Sequence, residues 1–254
     1  MLMGGRPRGA GSFDSLFAPA IFPAQAEPAL TAEFFNYASS GFFVDVGAHD
    51  PVAYSQSYDL EQRGWTGILV EPLPNMAKRL RAQRKAHVYE AACSSPDDDG
   101  KMLTFHVADL YSTLQTKSVA VGAVRTGQIK VPGATLDSLL REANAPIPID
   151  YVSIDVEGHE IPVLEGFDLK HWRPRLLAIE DLAMNFVLHR YLKERGYTWF
   201  RRAGLNGWFV PSDAVPPISP FGRWQFFRKY YLSLPFRHAR ELKRKISGRP
   251  LAAH

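Results

Sequence analysis

Four short apolar runs in this chain each lead into an acid: Phe42-Phe43-Val44 into Asp45, Ile68-Leu69-Val70 into Glu71, Tyr151-Val152-Ser153-Ile154 into Asp155, and Leu176-Leu177-Ala178-Ile179 into Glu180. Gly47 follows the first acid and permits both a sharp turn and close approach of a ligand to the backbone. Glu71 lies 24 residues beyond Gly47, near the spacing at which an acid after a second strand accepts hydrogen bonds from the two hydroxyls of an adenosine ribose. Strand-end acids also cap helices, and both roles stay open for Asp45 and Glu71. A dinucleotide cradle needs G-x-G-x-x-G. Here Gly47-Ala48-His49-Asp50-Pro51-Val52 lacks the second and third glycines, so a cofactor without phosphates fits better than a nicotinamide dinucleotide. A nucleotide-binding oxidoreductase and a non-catalytic interaction module are the rival readings.

The elements that must position these groups follow from periodicity. Strands are expected at 41–47, 67–71, 87–92, 102–107, 129–131, 151–155 and 176–180, because each is a short run of apolar, β-branched or aromatic residues bounded by turn formers. Helices are expected at 30–37, around Tyr58 to Glu61, and at 75–84, 136–143 and 187–195, with Thr135 as a cap whose hydroxyl accepts an orphan backbone N–H. The turn Gly204-Leu205-Asn206-Gly207 between 197–202 and 208–210 predicts an antiparallel hairpin. Strands alternating with helices predict a mostly parallel α/β sheet. In such a sheet ligands collect beyond the carboxyl ends of the strands, where the strand order reverses. That gives the four acids one address.

The totals bound the rest. With 254 residues, 46% hydrophobic and 22% charged, the chain can bury one large core. Residues 1–29 read as a poorly ordered leader rich in Gly, Pro and Ala, 30–212 as the catalytic domain, and 213–254 as a basic, aromatic tail. Two prolines interrupt the apolar stretch 16–24, which argues against a secretion signal. No stretch approaches the roughly eighteen apolar residues of a membrane-spanning helix. The single cysteine, Cys93, excludes an intrachain disulfide and fits a reducing cytoplasm. The net charge of +4 is uneven: residues 221–254 hold nine Lys/Arg and one acid, Glu241, while the preceding 220 residues hold 21 basic and 25 acidic residues. A nucleic-acid partner, which would need a basic face on the catalytic body, is not expected.

Several ordered motifs resemble the FkbM family of methyltransferases. They are Phe43-Val44-Asp45-Val46-Gly47-Ala48-His49, Leu60-Glu61, Gly64-Trp65-Thr66-Gly67-Ile68-Leu69-Val70-Glu71-Pro72, Thr135-Leu136-Asp137-Ser138-Leu139-Leu140, Ile154-Asp155-Val156-Glu157-Gly158-His159-Glu160, and Val163-Leu164-Glu165-Gly166-Phe167. The resemblance implies a Rossmann-like class I methyltransferase fold: a mostly parallel seven-stranded sheet with a C-terminal antiparallel hairpin and helices on both faces. It implies S-adenosylmethionine as methyl donor and O-methylation of a small-molecule, carbohydrate or glycolipid acceptor. Carried over residue by residue, Asp45, Gly47, Ala48 and His49 form the donor loop. Glu71, followed by Pro72, holds the ribose, and Ala91, Ala92, Asp109 and Ser112 border the adenine. His49 stands where an asparagine is frequent.

Methyl transfer is an in-line displacement at a sulfonium, and an alcohol acceptor must lose its proton. Asp155, Glu157 and His159 are the expected catalytic residues, with His159 either the base, since its ordinary pKa lies near neutrality, or a residue that caps and orients the loop. Glu157 and Glu160 could equally support the following helix through its dipole. Some O-methyltransferases place one acid after the fourth strand and an adjacent pair after the fifth. Asp155 with Glu180 and Asp181 offers that set to Mg²⁺, although Glu180 could instead contact the donor or a helix end. The tail mixes Phe221, Trp224, Phe226, Phe227, Tyr230, Tyr231 and Phe236 with Arg223, Arg228, Lys229, Arg237, Arg240, Lys243, Arg244 and Lys245. Such a segment suits peripheral contact with an inner membrane surface, or its aromatics pack on the core and a basic helix at 238–246 is solvated.

Overall fold

The structure, a computed structural model, describes residues 16–107, 114, 127–181 and 186–239. The main sheet takes strands β1 (Ile21–Phe22), β2 (Phe42–Val46), β3 (Thr66–Val70), β4 (His87–Tyr89), β8 (Tyr151–Ile154), β9 (Leu176–Glu180), β10 (Tyr197–Ala203) and β11 (Asn206–Pro211). Their order is β1-β10-β11-β9-β8-β2-β3-β4. The run from β4 to β9 is parallel, while β11 is antiparallel to both neighbours, β9 and β10. The sheet is therefore mixed, and the expected hairpin is β10–β11. It has eight strands where seven were expected, because Ile21 and Phe22 pair in parallel with Arg202 and Ala203 at the open edge of β10.

That eighth strand corrects the leader. Residues 16–29 hold β1, a 3₁₀ turn at Ala24–Ala26 and the start of α1 (Glu27–Phe34). Two strand residues carry no periodicity, so composition alone concealed them. A second, three-stranded sheet, β5-β7-β6, is made by β5 (Ala92–Cys93), β6 (Met102–Val107) and β7 (Gly127–Ala134). The strand expected at 87–92 is thus divided, its two halves belonging to different sheets.

Alternation along the strands sorts the core into two layers. Val44, Val46, Ile68, Val70, Val152, Ile154, Leu177 and Ile179 point to one face. There they meet α4 (Leu136–Glu142), α5 (Glu160–Glu165), α6 (Leu169–Trp172) and α7 (Phe186–Glu194). Phe43, Leu69, Tyr151, Leu176 and Ala178 point to the other, against α1, α2 (Tyr58–Gln62) and α3 (Pro74–Gln83). The Thr135 cap is present, its Oγ1 accepting from the Ser138 N–H at 3.1 Å.

The two ends of the described chain clasp each other. Ser219 caps α8 (Pro220–Phe227) by accepting the Gly222 N–H and donates to the Ala18 carbonyl. Gln225 Oε1 accepts from the N–H groups of Ala20 at 2.8 Å and Ile21 at 3.3 Å. Phe226 and Tyr230 pack on Trp199, with ring centroids 3.9 and 4.5 Å away. A π-helical turn, Arg228–Leu232, continues α8. This much of the expected tail is part of the fold. Residues 240–254, with Arg240, Lys243, Arg244 and Lys245, lie outside the described residues. Among those described, no helix is long and apolar enough to cross a membrane.

Candidate active site

The sequence leaves the sheet centre in opposite directions, β2 to β4 one way and β8 to β9 the other. The crevice beyond the carboxyl ends of β2 and β8 is therefore the switch point at which such sheets bind ligands. Gly47 opens it. Its φ is +87°, and an added Cβ would stand 1.9 Å from the Asp155 carbonyl oxygen, a contact no side chain tolerates. The turn aims the His49 N–H at Glu71 Oε2, 2.9 Å away, while the Leu73 N–H reaches Oε1 at 2.8 Å. Each carboxylate oxygen so accepts one backbone bond and keeps a further lone pair. Burial pushes the Glu71 pKa up to about 7, and these two bonds hold it down.

Around this carboxylate lies a pocket of about 850 Å³, part of it at the open mouth. Its lining joins Gly47, Ala48, His49, Glu71, Pro72, Ala91, Ala92, Asp155, Glu157 and His159, so most of the residues expected from sequence meet in one place. Asp109 and Ser112 lie outside the described residues. Asp45 is a correction: it is absent from the lining. It sits inside β2, two residues before Gly47, and there Ser57 Oγ donates to its Oδ2 at 2.5 Å. Arg84 Nη2 donates to Ser57 Oγ at 3.0 Å, and Arg84 Nε pairs with Glu61 Oε2 at 2.9 Å.

The donor expected from the resemblance can be tested against these walls. An adenine needs an apolar slot, and Ala91, Ala92, Phe105 and Leu114 offer one. Ribose hydroxyls need an acceptor, and Glu71 keeps two lone pairs. His49 Nε2 is buried without a hydrogen-bond partner among the described residues, on a residue that lines the pocket, a polar atom in want of one. The residues fit an adenosine-bearing cation.

Acids gather at the other end. Glu157 adopts φ +53° and Gly158 φ +94°, which folds the loop back so that carboxylate oxygens of Asp155, Glu157 and Glu180 come within 4.8 Å of one another. Burial raises Asp155, with Glu160 and Asp45 adding to the rise; burial likewise raises Glu180, chiefly with Asp155 and Glu157. Glu157 is pushed up to about 8 by burial, then by Asp155 and Glu160. Glu160 is raised as well, while its Oε1 accepts the Gly158 N–H at 2.9 Å.

Asp181 does not join this group, which corrects the expected Asp155, Glu180, Asp181 triad. Neighbouring strand-end residues face opposite sides. Glu180 follows Leu176 and Ala178 toward α1, while Asp181 follows Leu177 and Ile179 toward α7. There its Oδ2 meets His189 Nε2 at 2.9 Å, Arg202 Nη1 at 3.1 Å and the Tyr230 hydroxyl at 2.6 Å. The Asp155, Glu157 and Glu180 oxygens are the group a divalent cation could meet.

Two further residues escaped sequence reasoning. Ser94 Oγ, fully buried, donates to Asp98 Oδ2 at 2.5 Å and lies 2.9 Å from His159 Nε2. Since a carboxylate only accepts, the serine proton points to Asp98, and Nε2 of neutral His159 must carry the proton that reaches Ser94. Nδ1 is left with the free lone pair and has no hydrogen-bond partner among the described residues. Burial lowers the His159 pKa, opposed by Asp98, which favours the neutral ring near pH 7.

A mixed sheet with helices on both faces, a glycine-turned loop and a fixed carboxylate at the switch point define a methyltransferase-like α/β protein. Residues 45–198 match the methyltransferase FkbM domain, and the chain belongs to the FkbM methyltransferase family. A crystal structure of methyltransferase FkbM from Methylobacillus flagellatus KT is similar at 13% identity and a TM-score of 0.46, covering 68% of this chain. The match spans 44% of that protein's length. No match emerged among curated proteins.

Proposed function

We propose that this chain is an S-adenosylmethionine-dependent O-methyltransferase acting on a hydroxyl of a sugar, a glycolipid or polysaccharide, or a secondary metabolite. The observation that carries the reading is one pocket with Glu71 fixed by two backbone N–H groups at one end and a neutral His159 with a free Nδ1 at the other. When bound, the donor supplies a methyl group on a positively charged sulfur. Glu71 takes the ribose hydroxyls, and Ala91 and Ala92 flank the adenine. A cationic donor end would draw Asp155 and Glu157, whose protons burial holds, into their charged forms, and that pairing favours it. His159 accepts the acceptor's hydroxyl proton at Nδ1, while Ser94 and Asp98 hold the opposite face of the ring.

Calorimetry with S-adenosylmethionine, its demethylated product and NADH tests the class. Heat with the first two and none with NADH is expected; silence with the first two overturns the reading. Charge-assisted hydrogen bonds are worth about 1.5–3 kcal/mol each, so Glu71→Ala, which removes two, weakens donor binding by about tenfold or more. The acceptor is found by comparing glycans and lipids of cells with and without the gene, as the species that loses one methyl in mass.

A further inference from the structure

The C-terminal helix is apolar on two opposite faces. Phe226 and Tyr230 turn inward onto Trp199. On the outward side Trp224, Phe227, Tyr231, Leu232 and Phe236 are each 50–74% exposed. Trp224, Phe227 and Tyr231 stand at i, i+3 and i+7 and so share one helical stripe. The stripe is continuous: Phe227 stacks on Tyr231 at 5.9 Å, and Tyr231 meets Phe186, the first residue of α7, at 6.2 Å. Soluble surfaces seldom leave a contiguous apolar area of this kind bare without a binding role. The Tyr230 hydroxyl of the same helix reaches Asp181 at the end of β9, which ties the stripe to the sheet.

Charge decides what covers it. Arg223 and Arg228 are exposed beside the stripe, and the Arg228 guanidinium lies over the Trp224 ring at 5.4 Å. Residues 221–254 hold nine Lys/Arg against the single acid Glu241. A second copy docking through the same surface would set these cations against each other, because a two-fold contact repeats one patch on both partners. An anionic bilayer meets both features: its headgroup layer takes amphipathic aromatic rings and its phosphates take guanidinium groups.

We infer that this stripe docks the protein on an anionic lipid surface. The inference stands on the surface itself and does not require the methyltransferase reading. Full-length protein is floated with vesicles of phosphatidylcholine alone and of equal parts phosphatidylcholine and phosphatidylglycerol, at low and at high salt. Recovery with the anionic vesicles only, falling at high salt, is the expected result.

Each basic residue near such a surface contributes enough for about a fivefold change in partition. Arg223→Gln with Arg228→Gln therefore lowers partition by about 25-fold. Trp224→Ser with Phe227→Ser also abolishes recovery, and thermal unfolding confirms that this variant remains folded. Failure of the unaltered chain to float with anionic vesicles overturns the inference. So does a concentration-dependent dimer that the Trp224→Ser, Phe227→Ser variant dissolves, since the stripe would then be a self-association surface.

Discussion

Two groups of buried acids lie on the same face of the sheet and have opposite electrostatics. Beneath the loop after β2, Asp45 and Glu61 are matched by Arg84 and Ser57, and Arg84 and Glu61 have side chains only 0% and 4% exposed. Beyond β8, Asp155, Glu157 and Glu180 crowd together with no ion pair to a cation among the described residues, and all three are raised by burial and then by neighbouring acids. A matched buried group holds its surroundings in place. An unmatched one is an arrangement a fold retains for something that arrives later, and a cationic ligand is the natural complement.

The largest effect separating the two groups is expected at Arg84. Arg84→Ala leaves Glu61 buried without its partner, and breaking such a pair costs about 3–5 kcal/mol, which denaturant unfolding measures. A loss below about 1 kcal/mol would show that the pair is not what holds the loop. Glu157→Gln should act in the reverse sense. The folded chain holds the Glu157 proton up to about 8, against an ordinary value of 4.5, so the folded state binds more protons than the unfolded one between those values. Stability from this group is fully present below about pH 4.5 and is lost as pH rises through about 8. The variant therefore flattens the fall of melting temperature with pH over that window and is the more stable protein at pH 8, while its donor affinity drops. An unchanged pH slope would mean that the acids are not crowded in solution.

The smallest effect is expected at Ser94. Ser94→Ala changes stability by about 1 kcal/mol, but the nitrogen shifts of His159, read by long-range proton–nitrogen NMR, move from the Nε2–H tautomer toward a mixture. If the parent already shows the Nδ1–H form, the serine does not orient the ring.

The strand-end acids of β3, β8 and β9 were legible because an apolar run closing on an acid needs only local sequence. The pocket's place followed from the switch-point rule, and Glu71 and Asp155 line it; His49 came from the family resemblance and His159 from its side-chain chemistry. What local sequence could not carry was the direction of each side chain. Asp45 and Asp181 were assigned to the pocket by position; one step of strand alternation turned Asp181 to the opposite face, while Asp45, still inside β2, is engaged by Ser57. Glu157 joins Asp155 and Glu180 through two left-handed backbone positions that spacing does not reveal. Arg84, Ser94 and Asp98 take their roles from partners 23, 65 and 4 residues away, distances with no periodic signature.

The clasp between Ala18–Ile21 and Ser219–Gln225 has a mechanical consequence. Chain ends that grip each other carry any pull applied through them before the centre does. A tether attached at both termini would first strip α8 and β1 from the edge of the sheet, and the parallel strands with their pocket would bear load only after that shorter, weaker contact had parted.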